Sequence, residues 1–131
     1  MRNLLIIENE ESARDNLGLY SKRLGYKPIL ISDPLICGAV KSSGPECSTK
    51  KPCADILLID KDCPAIDGLK LIELQVEKGC TVNSRRKALM ASTLTDKEHT
   101  KVAILGCHVI SKPVTFETLK NWLMGLEDQT E

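Results

Sequence analysis

The chain has 131 residues, of which 18 are Lys or Arg and 18 are Asp or Glu, so its formal net charge at neutral pH is zero. That balance excludes a nucleic-acid surface that works through bulk charge. With 42% apolar and 27% charged residues, the composition is that of one soluble globular domain, long enough to bury a core.

Met1-Arg2-Asn3 runs directly into Leu4-Leu5-Ile6-Ile7, an all-apolar run of strand length that leaves no room for a signal sequence. Acid gathers at its end in Glu8-Asn9-Glu10-Glu11. Ala13, Leu17, Tyr20 and Leu24 then recur at helical spacing, with Asn9 or Ser12 as the expected cap and Gly25 as the stop. Pro28-Ile29-Leu30-Ile31 reads as a second short strand. Ser32-Asp33-Pro34 starts a modest second helix over residues 35–40. Residues 42–53 are polar, rich in turn formers and without period, which predicts a surface loop. Its two cysteines, Cys47 and Cys53, read as exposed thiols, with a disulfide or a partner site as the alternative.

Ile56-Leu57-Leu58-Ile59 is the most apolar run, a strand buried on both faces of a parallel sheet, and Asp60 stands where it stops. A loop containing Asp62, Cys63, Pro64, Asp67 and Gly68 follows, and Leu69, Leu71, Ile72 and Val76 repeat at helical spacing until Gly79. Residues 81–87 read as a polar connection in which Arg85-Arg86-Lys87 is a solvated basic cluster. Ala88-Leu89-Met90-Ala91 is the fourth strand, with Ser92 and Thr93 at its tip. Asp96 to Leu105 is helical with a thin apolar face of Val102, Ala103 and Leu105. Cys107-His108-Val109-Ile110 is the fifth strand, delivering Ser111-Lys112-Pro113. Phe116, Leu119, Leu123 and Leu126 give the last helix a clear stripe, capped by Thr115 and flanked by Trp122. The charged tail from Glu127 is expected to fray.

Five strands alternating with five helices imply a three-layer, doubly wound α/β domain over residues 1–127, with residues 128–131 as a short tail. In the strand order 2-1-3-4-5, strands one and three lie side by side at the switch point where such sheets place their ligands. The tips of strands one, three, four and five then carry Glu8 and Asn9, Asp60, Ser92, and Lys112. Carboxylates and an amide oxygen around Asp60 suit Mg2+ or another hard divalent cation. An ionised Asp60 with a lysine and a hydroxyl beside it has what an acyl phosphate requires, namely a nucleophile and groups that neutralise the transferring phosphoryl oxygens.

Residues 4–10, the spacing Asp60-x-x-x-Pro64-x-x-Asp67-Gly68, Ser92 after an apolar strand, and Lys112-Pro113 together resemble the CheY-like receiver domain of two-component response regulators. The resemblance covers nearly the whole chain and implies the flavodoxin-like (βα)5 fold. It implies Asp60 as phospho-acceptor, Glu8 and Asn9 at the acidic-pair positions, Ser92 as switch hydroxyl, Lys112 as the phosphate-sensing lysine, and the Asp62 backbone carbonyl as a further metal ligand. It also implies a histidine kinase or phosphotransfer protein as donor and a downstream protein target. The face made by the fourth helix, fifth strand and fifth helix would carry the signal and is the surface for a homodimer. Two positions depart from that family: Asn9 replaces a carboxylate that normally ligates the metal, and Val109 stands where an aromatic switch residue is usual.

The sequence therefore frames four functions. A phosphorylatable receiver, with no enzymatic turnover beyond its own phosphorylation and dephosphorylation, stands first. A degenerate receiver that only binds partners is favoured by Asn9 and Val109. A phosphohydrolase using Asp60 and Asp62 lacks a cap domain and a second acidic cluster. Thiol sensing through Cys63 or Cys107 rests on their expected proximity to the site. The six cysteines are expected to be reduced in a cytoplasmic protein, and no C-x-x-C pair suggests zinc.

Overall fold

A computed structural model describes residues 2–37 and 53–128. Its centre is β3 (Ile56–Asp60), buried at every position. β1 (Asn3–Ile7) and β4 (Lys87–Ala91) flank it, with β2 (Lys27–Ile31) and β5 (His108–Ser111) at the edges. All four pairings are parallel and the order is β2-β1-β3-β4-β5, as the sequence predicts. Pro28 lies on an edge strand, where a missing N–H is tolerated.

Strand residues alternate between the two faces, and this alternation builds two cores. Leu5, Ile7, Leu57, Ile59 and Leu89 pack against Leu69, Leu71 and Ile72 of α2 (Gly68–Glu77) and Val102 of α3 (Asp96–Leu105). Leu4, Ile6, Ile56, Leu58 and Met90 pack on the other face against Leu17 of α1 (Glu11–Arg23) and Leu119, Leu123 and Leu126 of α4 (Phe116–Asp128). Each such side chain contributes roughly 1.5–3 kcal/mol on burial. The three layers hold the tips of β1, β3 and β4 at one edge.

Several local expectations are corrected. The cap of α1 is Glu10, whose Oε1 accepts the Ala13 N–H at 2.8 Å, rather than Asn9 or Ser12; Ser12 instead donates its hydroxyl to Glu10. Val76 faces solvent, and the helical stripe of α2 is completed by buried Gln75. Ala103 is exposed, leaving Val102 as the one buried residue of α3. Glu127 does not fray: it accepts the Tyr26 hydroxyl at 2.8 Å and pairs with Arg2 at 3.1 Å, tying the last turn of α4 to the starts of β1 and β2. Asp33 caps a 3-10 turn, Pro34–Ile36, and four α-helices are present among the described residues where five were expected. The rest of the predicted second helix, the loop up to residue 52 with Cys47, and residues 129–131 lie outside the described residues.

Lys87 is the largest correction. It opens β4 rather than closing a solvated loop, is 0% exposed, and its Nζ has no hydrogen-bond partner among the described residues. A two-residue period places it on the face of Leu89, beside Leu57 of β3. A buried polar group left without a partner costs about 1–3 kcal/mol. Lys87→Met keeps the aliphatic stem and removes the amine, so it is expected to raise unfolding stability by about that amount. A urea titration reads this as a higher midpoint at unchanged slope.

Candidate functional site at the carboxyl edge of the sheet

Asp60 ends β3 with 3% of its surface exposed, and an isolated carboxylate there is costly. Its Oδ1 accepts the Lys112 ammonium at 2.5 Å and the Asp62 N–H at 3.0 Å. Lys112 also approaches Asp62 Oδ2 at 3.6 Å, so one lysine spans both acids. Burial works against the Lys112 ammonium, but the hydrogen bond and charge of Asp60, with Glu8 and Asp62 behind it, hold its pKa above the usual lysine range.

Glu8, at the tip of β1, is 4% exposed. Burial first, and the adjacent Asp60 after it, push its carboxyl up to about 7, against the opposing Glu10 N–H donated to Glu8 Oε2 at 3.1 Å. Two acids in one desolvated space, with a single lysine between charges, is an arrangement that accommodates a divalent cation. Among the described residues, no three His, Cys, Asp or Glu side chains form a ready metal cluster. The donors that fit are the Glu8 and Asp60 carboxylates, completed by backbone carbonyls and water.

Backbone contacts fix the edge. Lys61 N–H donates to Met90 O at 2.9 Å and Lys112 N–H to Ala91 O at 3.0 Å, joining the tips of β3, β4 and β5. The Lys112–Pro113 peptide is cis. Gly68 N–H donates to Lys61 O at 2.8 Å, and a Cβ at position 68 would stand 2.3 Å from the Asp60 carbonyl oxygen. Only glycine lets α2 begin so close to the acid. Asp67, the residue before it, caps α2 by accepting the Leu69 N–H at 2.8 Å.

A cleft of about 470 Å³ opens beside these groups, lined by Glu8, Glu10, Ser92 and Lys112 on its polar side and by Leu17 and Val114 among its apolar residues. Ser92 is exposed just beyond the end of β4. The structure thus brings Glu8, Asp60, Asp62, Ser92 and Lys112 to one edge. Asn9 is exposed beside Glu8 and, like Asp60 and Asp62, is not among the residues that line the cleft. Val109 is 36% exposed on β5, and its neighbour His108 lies edge-on to Trp122 with ring centroids 6.1 Å apart.

Sequence reasoning missed two groups. Arg14 donates to the carbonyls of Glu8 (3.1 Å) and Asn9 (3.3 Å), clamping the acidic loop from α1. Lys61 reaches Asp67 and Glu98. Position i+4 from Glu10 on the first turn was the available signal for Arg14; a lysine beside two loop acids gave none for Lys61. Cys63 is buried and its thiol donates to Asp60 O; burial, then Asp60 and Glu8, push it up to about 12. Cys107 is likewise raised by burial. Such thiols are poor nucleophiles at neutral pH, which counts against redox sensing. Cys37, Cys63, Cys80 and Cys107 are free thiols.

The doubly wound sheet has counterparts among solved structures. No protein-family model and no curated protein matches the sequence. The receiver domain of a Francisella response regulator matches over 100% of both chains, with 12% identity and a TM-score of 0.77. A two-component response regulator from Clostridium difficile matches over 100% of both chains, with 16% identity and a TM-score of 0.74. A CheY-like receiver domain protein from Methanospirillum hungatei matches over 98% of this chain and 95% of its own, with 15% identity and a TM-score of 0.74. The chain has the fold of the response regulator receiver domains. No helix among the described residues is long and apolar enough to cross a membrane.

Removing the lysine tests the charge accounting. Lys112→Met leaves Asp60 and Glu8 facing each other without a counter-ion and is expected to cost about 1–3 kcal/mol, below the range for a fully buried pair because Lys112 is partly solvated. Denaturant titration of the single variants and of Lys112→Met with Asp60→Asn should show the double variant recovering most of that loss.

Proposed function

We propose that the chain is a receiver that accepts a phosphoryl group on Asp60 from a histidine kinase or phosphotransfer protein and presents an altered face to a protein target. The observation that carries this reading is the single buried carboxylate at the end of the central strand, held by Lys112 with Glu8 beside it. Ionised Asp60 attacks phosphorus, the new bond joins its carboxylate oxygen to phosphorus, and the bond from phosphorus to the donor breaks. Lys112 carries the positive charge that follows the phosphoryl oxygens, and the Ser92 hydroxyl at the cleft wall donates to one of them. A divalent cation such as Mg2+, when bound, neutralises charge on the transferring group. Glu8, Asp60 and the Asp62 carbonyl are the residues that would hold it, with water completing the shell.

The surface for signalling, and for a homodimer, is the one formed by α3, β5 and α4. Ile104 and Val109 are its exposed apolar residues on α3 and β5, and Met124 is exposed on α4. A second reading, a receiver that binds partners without being phosphorylated, draws on one observation. Asn9 brings no charge to the site, and the next acid, Glu10, is engaged in capping α1.

Intact-protein mass after incubation with a small-molecule acyl phosphate separates the two. The native chain with Mg2+ is expected to gain one phosphoryl group, and Asp60→Ala or removal of the cation should abolish the gain. An adduct appearing only after Asn9→Asp would favour the binding module.

A further inference from the structure

Lys61 directly follows Asp60, and its backbone is held on both sides, by Met90 O through its N–H and by the Gly68 N–H through its carbonyl. Its side chain spans from the far end of the loop after Asp60 to the next helix, α3. The ammonium pairs with Asp67 Oδ2 at 2.8 Å and with Glu98 Oε2 at 3.1 Å, and its own side chain is only 15% exposed. Asp67 is the cap of α2. Glu98 is the third residue of α3, where its Oε1 accepts the Thr95 N–H at 2.9 Å while its own N–H donates to Thr95 Oγ1 at 3.1 Å. One ammonium therefore joins the starts of two helices to the residue next to Asp60.

Apart from that connection, α3 is held by Val102 and, at its far end, by the partly buried Leu105. Val102 is its one buried residue, Ile104 is 79% exposed, and the other ionic link to α2, Lys101 to Glu73, is longer at 3.7 Å. A helix with so small an apolar anchor is positioned by its first turn. Ser92, the hydroxyl of the site, lies three residues before the Thr95 cap, so the acceptor side and the hydroxyl side of the site meet at the same turn. Val109 offers no ring that could swing between the site and this helix.

We infer that Lys61 is the positioning residue that carries the state of the Asp60 site to the first turn of α3, through the Asp67–Lys61–Glu98 bridge. This deepens the receiver reading and rests on it for the nature of the signal, whereas the bridge itself can be measured without any phosphoryl group.

The experiment is amide hydrogen exchange across residues 96–105 in the native chain, Lys61→Met, Lys61→Arg, Glu98→Gln, and Lys61→Met with Glu98→Gln. Gln at 98 keeps a side-chain oxygen able to accept the Thr95 N–H while removing the charge. In unmodified protein, Lys61→Met and Glu98→Gln are each expected to speed exchange about two- to fivefold, the scale of a partly exposed ion pair. Lys61→Arg is expected to stay near native, and the double variant to add nothing to either single change. Unchanged exchange in Lys61→Met, or additive effects, would overturn the bridge.

The same samples are then treated with an acyl phosphate and Mg2+, with adduct followed by mass. At equal adduct, the native chain and Lys61→Arg should change their exchange in α3 and Lys61→Met should not; an equal response in Lys61→Met refutes the inference. Absence of adduct on every chain refutes the phospho-acceptor reading instead, and the unmodified comparison then decides the bridge alone.

Discussion

A carboxylate that ends a fully buried strand must be neutralised where it stands, and the architecture around Asp60 follows from that requirement. Ile56, Leu57, Leu58 and Ile59 leave no solvent on either face of β3, so the acid that follows them inherits a dry environment. Lys112 has to come from the far end of the sequence to meet it, which requires β4 and β5 to be in register with β3. Gly68 has to lack a side chain for α2 to begin where it does. The helices, the strand order and the tight loop serve the same small space around Asp60.

The parts of the fold that rest on repetition are visible in the sequence, and those that rest on a single long side chain are not. Four apolar runs, each followed by a polar tip, define β1, β3, β4 and β5, and the tips themselves reveal Glu8, Asp60, Ser92 and Lys112. Their convergence needs no knowledge of distances, because a parallel sheet places all carboxyl ends on one edge. Lys87 was illegible because it follows two arginines, a context that reads as solvent, although its two-residue spacing from Leu89 carries the opposite message. Glu10 displaced Asn9 and Ser12 as cap because α1 begins at Glu11, which leaves Asn9 one position too early and Ser12 inside the first turn, an outcome that residue preferences alone rank low. Val76 and Ala103 went to solvent because helical periodicity defines a stripe only to within one position at its margins.

The charge balance of the site is uneven in an instructive way. Glu8, Asp60 and Asp62 meet one Lys112, and burial first, with the neighbouring Asp60 adding to it, lifts the Glu8 carboxyl toward neutrality. Arg14, though close in space, spends its guanidinium on the carbonyls of Glu8 and Asn9 rather than on a carboxylate. It orders the loop while leaving the acid pair short of positive charge. Asn9, in the same loop, adds none of the negative charge that a second loop carboxylate would have brought.

The knot made by Arg2, Tyr26 and Glu127 lies at the starts of β1 and β2, the pole opposite Asp60. The first strand and the last helix are thereby fastened to one another at a place remote from any chemistry. A tether, a surface or a fusion partner attached near Arg2 or near the end of α4 approaches the molecule from behind, and the acidic edge stays turned toward whatever diffuses past.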